Sequence, residues 1–264
     1  MGIASINGVA LNHRLAGAEG GSPLVLVNSL GTDLGIWDDV LPLLTPRHRV
    51  LTYDKRGHGH SETPPGPYGI DDHVADLVGL AEHCGFSSFS LCGISIGGMI
   101  AMRLASRYPG NVKTLVLCDT GAKIGTAETW NNRIVQVQQG GMAGIAGAVL
   151  ERWLSPDFRD RRPAEFARWR KMLESCSPEG YVASCATVRD TDLSADLARI
   201  SAPTLVVVGE HDLATPPELA RQLADAIPGA RHKIIRHAGH VPAIERPEEL
   251  GMLISDHLNE VVHV

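Results

Sequence analysis

The stretch Ser90-Leu91-Cys92-Gly93-Ile94-Ser95-Ile96-Gly97-Gly98 reads as the end of an apolar strand that bends sharply into a helix, with one serine at the bend. Small residues on both sides of Ser95 let strand and helix pass closely enough to hold a serine in a strained backbone conformation. The residues after it, Met99 to Ala105, are strong helix formers, and Tyr108-Pro109-Gly110 ends the helix. Gly-x-Ser-x-Gly alone also arises in glycine-rich loops. Flanked by a strand and a helix, it marks Ser95 as a candidate nucleophile whose hydroxyl stands above a sheet. The N–H of Ile96, at the N-terminus of the new helix, favours the negative charge that a carbonyl oxygen acquires under attack.

On either side of this turn, short β-rich runs alternate with helical patterns. Strands are predicted at Leu24–Val27, Arg49–Tyr53, Phe89–Cys92, Val112–Cys118, Thr204–Val208 and His232–Ile235. Helices are predicted near 37–44, over 72–84, after Ser95, after Thr215-Pro216-Pro217-Glu218, and from Pro247 onward. Ala4-Ser5-Ile6 and Val9-Ala10-Leu11, joined by Asn7-Gly8, predict an edge hairpin. Near-continuous apolar strands alternating with helices imply a mainly parallel sheet covered on both faces. The rhythm breaks between about 120 and 196, where helical stretches such as Ile134–Gln138 and Ala164–Glu174 replace strands. This predicts an α/β core of residues 1–120 and 197–264, with 121–196 inserted as a helical cap whose glycines at 140, 141, 144 and 147 suggest mobility.

The composition sets limits on function. The chain has 264 residues, 44% of them hydrophobic, with a formal net charge of -6, enough for a large core and poorly matched to a polyanion. No Lys/Arg stripe is present to replace phosphate counterions, so nucleic acid is not an expected partner. No apolar run is long enough to cross a bilayer, and no membrane association is expected. The five cysteines form no C-x-x-C or zinc-type spacing and read as free thiols, which fits a cytoplasmic location.

A serine hydroxyl becomes a nucleophile only when a histidine takes its proton and a carboxylate orients that histidine. The loop after the predicted seventh strand contains Glu210-His211-Asp212, and the loop after the eighth contains Gly239-His240-Val241-Pro242. Asp212 and His240 thus fall beyond the carboxyl ends of strands, where open α/β sheets place their sites. Asp119, at the end of the sixth strand, competes for the acid role. The other oxyanion donor is expected from Asn28-Ser29-Leu30-Gly31, with the Leu30 N–H facing that of Ile96. Asp54-Lys55-Arg56-Gly57-His58-Gly59-His60-Ser61 matches no phosphate loop and completes no metal ligand set, so it reads as a scaffold turn. Neither a cofactor nor a metal is expected.

Together these segments resemble the α/β-hydrolase superfamily across nearly the whole chain. Asn28 to Asp33, Gly93 to Met99, Leu117 to Gly125, Trp130 to Ile134 and Arg189 to Leu193 look, more narrowly, like the 3-oxoadipate enol-lactonases of aromatic-compound degradation. Asn28 stands where the commoner superfamily form has histidine. The resemblance implies a mostly parallel eight-stranded sheet with an inserted cap, and a small carboxylate-bearing enol-lactone opened by water through an acyl-enzyme on Ser95. It implies no oligomeric state, and a homo-oligomer is compatible with it. A free carboxylate calls for a forked cation. Arg133 is the first candidate and Arg189 the second, with Trp130 and Trp153 as pocket walls. For each the ordinary alternative is an ion pair within the cap or simple packing. Competing functional readings are a carboxylesterase, a hydrolase of carbon–carbon bonds, and a non-catalytic binding protein of the same fold.

Overall fold

The Asn7-Gly8 pair adopts positive φ at both positions, 51° and 78°, the geometry that a tight two-residue turn between twisted strands requires. It joins β1 (Gly2–Ile6) to β2 (Val9–Ala16) as an antiparallel edge. The computed structural model describes residues 1–262. The remaining strands are β3 (Ser22–Val27), β4 (His48–Tyr53), β5 (Phe89–Ile94), β6 (Val112–Cys118), β7 (Thr204–Gly209) and β8 (Arg231–Ile235). They form one eight-stranded sheet in the order β1-β2-β4-β3-β5-β6-β7-β8, parallel throughout from β4 to β8. The central strands β5 and β7 are buried along their whole length, because helices cover both faces.

The helices are α1 (Leu41–Leu44), α2 (Ile70–His83), α3 (Ile96–Arg107), α4 (Ala127–Trp153), α5 (Pro156–Arg161), α6 (Pro163–Glu174), α7 (Pro178–Asp190), α8 (Pro217–Ala226), α9 (Pro242–Glu245) and α10 (Pro247–Val262). The break in strand rhythm after β6 is occupied by α4 to α7. Gly141, at φ 62° and ψ -171°, interrupts α4 near its middle.

Local chemistry moves several boundaries. The helix expected near 37–44 divides into a 3-10 turn, Leu34–Trp37, and the four-residue α1. Asp33 caps that turn by accepting the Gly35 N–H at 2.8 Å. α2 starts two residues earlier than expected because Asp72 acts from inside the first turn, where its carboxylate accepts the Gly69 N–H at 2.8 Å. No disulfide forms among the five cysteines, of which only Cys84 is not buried. No helix among the described residues is long and apolar enough to cross a membrane.

Candidate active site

Ser95 lies between β5 and α3 at φ 59° and ψ -119°, a backbone conformation that a side-chain-bearing residue keeps only when its surroundings impose it. Here they do. The Ser95 N–H donates to the Cys118 carbonyl at 3.0 Å, and the Ser95 carbonyl accepts from Thr120 Oγ1 at 2.7 Å. A Cβ on Gly93 would lie 2.2 Å from the Gly97 carbonyl oxygen, and one on Gly97 would lie 2.4 Å from that of Val27. Both glycines are therefore steric requirements of the bend. The Ile96 N–H, first in α3, has no intrahelical acceptor.

Asp212 and His240 come from the loops after β7 and β8, and His240 Nδ1 is 2.9 Å from Asp212 Oδ2. The carboxylate is fixed from its other sides. Asp212 Oδ1 accepts the N–H groups of Ala214 and Thr215 at 2.7 and 2.9 Å, and Oδ2 accepts Thr215 Oγ1 at 2.6 Å. Burial alone would raise the Asp212 carboxyl, but His240 and the Thr215 bonds outweigh it and hold the group below its ordinary value. An ionised carboxylate only accepts, so His240 carries its hydrogen on Nδ1 and keeps a lone pair on Nε2.

Asp119 occupies the same cluster, its carboxylate within 4.8 Å of the Asp212 and His240 ligand atoms. Burial and the charge of Asp212 push its carboxyl well above the usual range, against the Gly209 N–H that it accepts at 2.8 Å. Asp119 thus has a raised carboxyl beside the lowered one of Asp212, and it makes no hydrogen bond to His240 among the described residues. Asp212, the acid that sequence favours over Asp119, is the one that reaches the imidazole.

Ser95, His240 and Leu30 line one cavity of about 620 Å³, counting its open mouth. Arg133, Trp130 and Trp153 line it from α4. Ile96 and Asp212 are buried behind its wall. Trp130 is anchored by its Nε1–H on the Ile124 carbonyl at 2.6 Å. The Trp153 ring lies 6.3 Å from that of His240. Arg189 is not brought to the cavity. It forms a two-pronged ion pair with Asp190 at 2.7 and 2.8 Å and donates to Asn131 Oδ1, neither of which lines the cavity.

Several residues of the site were not singled out from sequence. Tyr181 on α7 accepts a bond from Arg133 Nη1 at 3.2 Å, and burial pushes its hydroxyl well up, so it stays protonated with its hydrogen free to donate. Arg152, in the last turn of α4, gives the wall a second guanidinium. Buried Glu245 accepts the Gly239 N–H at 2.7 Å, the Ser155 N–H at 3.0 Å and Ser155 Oγ at 2.5 Å. With the His240 N–H on the Trp153 carbonyl at 2.7 Å, it ties the end of α4 to the histidine loop. The only sequence signal for Glu245 is an acid five residues after His240 in an otherwise apolar turn.

A strained serine, an oriented histidine and two backbone N–H groups around one small cavity are equipped for acyl transfer to and from a hydroxyl. Comparison with known proteins points the same way. The family model described as the alpha/beta hydrolase fold matches residues 22–247. The 3-oxoadipate enol-lactonase 2 of Acinetobacter baylyi is 33% identical over 240 residues, 91% of this chain and 90% of the relative. The enol-lactonase from Burkholderia xenovorans LB400 superposes with a TM-score of 0.96 at 38% identity, covering 98% of this chain and all of that one. A thermophilic esterase from Thermogutta terrifontis superposes with a TM-score of 0.92 at 30% identity over 98% of each chain. Strand order, the serine bend and a match along most of its length place the chain in the α/β-hydrolase fold family.

Proposed function

We propose that this protein is a serine hydrolase that opens a small carboxylate-bearing enol-lactone, 3-oxoadipate enol-lactone being the substrate its relatives suggest. The observation that carries the proposal is a guanidinium, Arg133, on the wall of the same cavity as Ser95 and His240. Ser95 Oγ attacks the lactone carbonyl while His240 Nε2 takes its proton. The carbonyl oxygen becomes an oxyanion between the N–H groups of Leu30 and Ile96. Collapse of that intermediate breaks the ring C–O bond and leaves the acyl group on Ser95. The departing enolate takes up a proton and tautomerises to the ketone. It remains tethered in the acyl-enzyme, so reclosure competes until His240 activates a water that cleaves the ester and returns the serine. These steps call on no cofactor, and the setting we infer is cytoplasmic catabolism of aromatic compounds.

The substrate carboxylate pairs with Arg133, backed by the Tyr181 hydroxyl, while Trp130 and Trp153 cover the ring. Arg133→Ala is expected to weaken the lactone by about 1.5–3 kcal/mol, the worth of a charge-assisted bond, seen as a KM raised about 10- to 150-fold. A neutral aryl ester measured in parallel should change little, and equal losses on both would remove Arg133 from this role. Asp119→Asn is expected to leave kcat within about threefold, because the amide is isosteric with the protonated form that the raised carboxyl favours and keeps the Gly209 contact. A loss of several orders of magnitude would instead make Asp119 the working acid.

A general carboxylesterase is the second reading, favoured by the esterase among the structural relatives. Loss of enol-lactone absorbance on adding purified protein, set beside hydrolysis of a simple aryl ester, separates the two.

A further inference from the structure

We propose that Lys55 is a positioning residue for the oxyanion site: from behind, its ammonium grips and polarises the Ser29–Leu30 peptide whose N–H faces the cavity. The inference rests on the serine-hydrolase reading and adds to it a group that touches neither substrate nor Ser95.

Lys55 follows β4 in the turn that sequence marks as scaffold, and its side chain is fully buried. Its Nζ donates to the Asn28 carbonyl at 3.0 Å and to the Ser29 carbonyl at 2.9 Å. The Ser29 oxygen also accepts Thr32 Oγ1 at 2.9 Å. This carbonyl and the Leu30 N–H belong to one peptide unit. That unit is trans, the one cis bond among the described residues being Gly66-Pro67, so its C=O and N–H point in opposite directions. Lys55 Nζ, Thr32 Oγ1 and, at 3.4 Å, the Thr32 N–H hold the carbonyl side and therefore aim the N–H the other way, toward the cavity that Leu30 lines. Among the described residues the Leu30 N–H has no acceptor of its own.

A charged donor on a carbonyl draws electron density toward the oxygen and makes the N–H of the same peptide a stronger donor. The ammonium is costly to bury, and burial pulls it down to about 7 against the opposing fields of Asp54, Cys176 and Asp33. Asp54 is held in turn by the Leu34 N–H at 2.7 Å and by Asn12 Nδ2 at 2.7 Å. A methionine would fill the same space without the charge, so the buried lysine is explained by what it holds, the loop that carries the oxyanion donor.

The test is the second-order rate at which a fluorophosphonate labels Ser95, a reaction that develops charge on a phosphoryl oxygen in the same donor site and needs no knowledge of the natural substrate. Lys55→Met is expected to slow labelling about 10- to 100-fold, less than deleting an oxyanion donor outright. The KM for an aryl ester should stay within about twofold, because the interaction strengthens only as charge develops. Lys55→Arg should recover part of the rate. Thr32→Val, which removes the hydroxyl donor to the same carbonyl and leaves the Thr32 N–H at 3.4 Å, should cost about threefold. A Lys55→Met protein with wild-type melting temperature and a labelling rate within about twofold of wild type overturns the inference. If that variant does not fold, unchanged rates in both Lys55→Arg and Thr32→Val overturn it instead. Wild-type protein that takes no label contradicts the serine-hydrolase reading and removes the inference with it, a different result from label-competent variants of equal rate.

Discussion

Ser95→Ala is expected to abolish lactone and ester hydrolysis, lowering kcat by at least about 10⁴-fold, while the melting temperature stays near that of the parent. The size of the loss follows from the mechanism: without Oγ no acyl-enzyme forms, and the histidine and two N–H donors can assist only a direct attack by water. Stability should hold because Ser95 Oγ makes no hydrogen bond to the protein among the described residues, so its removal leaves no buried partner unsatisfied. The positive φ of residue 95 persists in the variant, and alanine tolerates it no worse than serine does. Circular dichroism and thermal melting, run beside the kinetic assay, check both halves. Near-normal turnover in a folded Ser95→Ala protein would reject a serine nucleophile.

Asp212→Asn is expected to have the second largest effect, about 10⁴-fold on kcat. An asparagine in this position can keep one acceptor oxygen for Ala214 and Thr215, but it turns an N–H₂ toward His240 Nδ1. That favours the tautomer with hydrogen on Nε2, which has no lone pair for the serine proton, and it removes the charge that stabilises the imidazolium. The neighbouring carboxyl makes the comparison sharp. Asp119→Asn replaces a raised carboxyl with an uncharged amide and should be nearly silent, although the two residues share one cluster. Opposite ranks for the two variants would exchange their roles.

How far the sequence alone reaches depends on whether the signal is local. The serine bend is legible because strand, turn and helix are contiguous, and Gly93 is demanded by the backbone of Gly97 four residues on. Asp212 and His240 are legible because each lies in the loop after a predicted strand, and the topology brings the ends of adjacent strands β7 and β8 together. The edge hairpin is legible from Asn7-Gly8 alone. What is not legible comes from packing between distant elements. Sequence ranks Arg133 before Arg189 but cannot show their partners: Asp190 beside Arg189 captures its guanidinium, while Arg133 on α4 finds Tyr181 forty-eight residues away. Arg152 joins the expected Trp153 on the cavity wall only because α4 runs on past the break at Gly141, a length that its glycines argue against. Lys55 reads as one cation in a basic turn, because nothing near it in the chain announces that its partners are the carbonyls of residues 28 and 29.

Arg133 and the serine site are proposed to serve one carboxylate-bearing lactone. The most direct measurement is kcat/KM of the purified protein for 3-oxoadipate enol-lactone beside that for a neutral aryl ester of similar size. A charge-assisted bond to the carboxylate predicts a preference for the lactone of at least about tenfold, and up to about 150-fold from that bond alone. Equal values, or a preference for the neutral ester, would contradict the account.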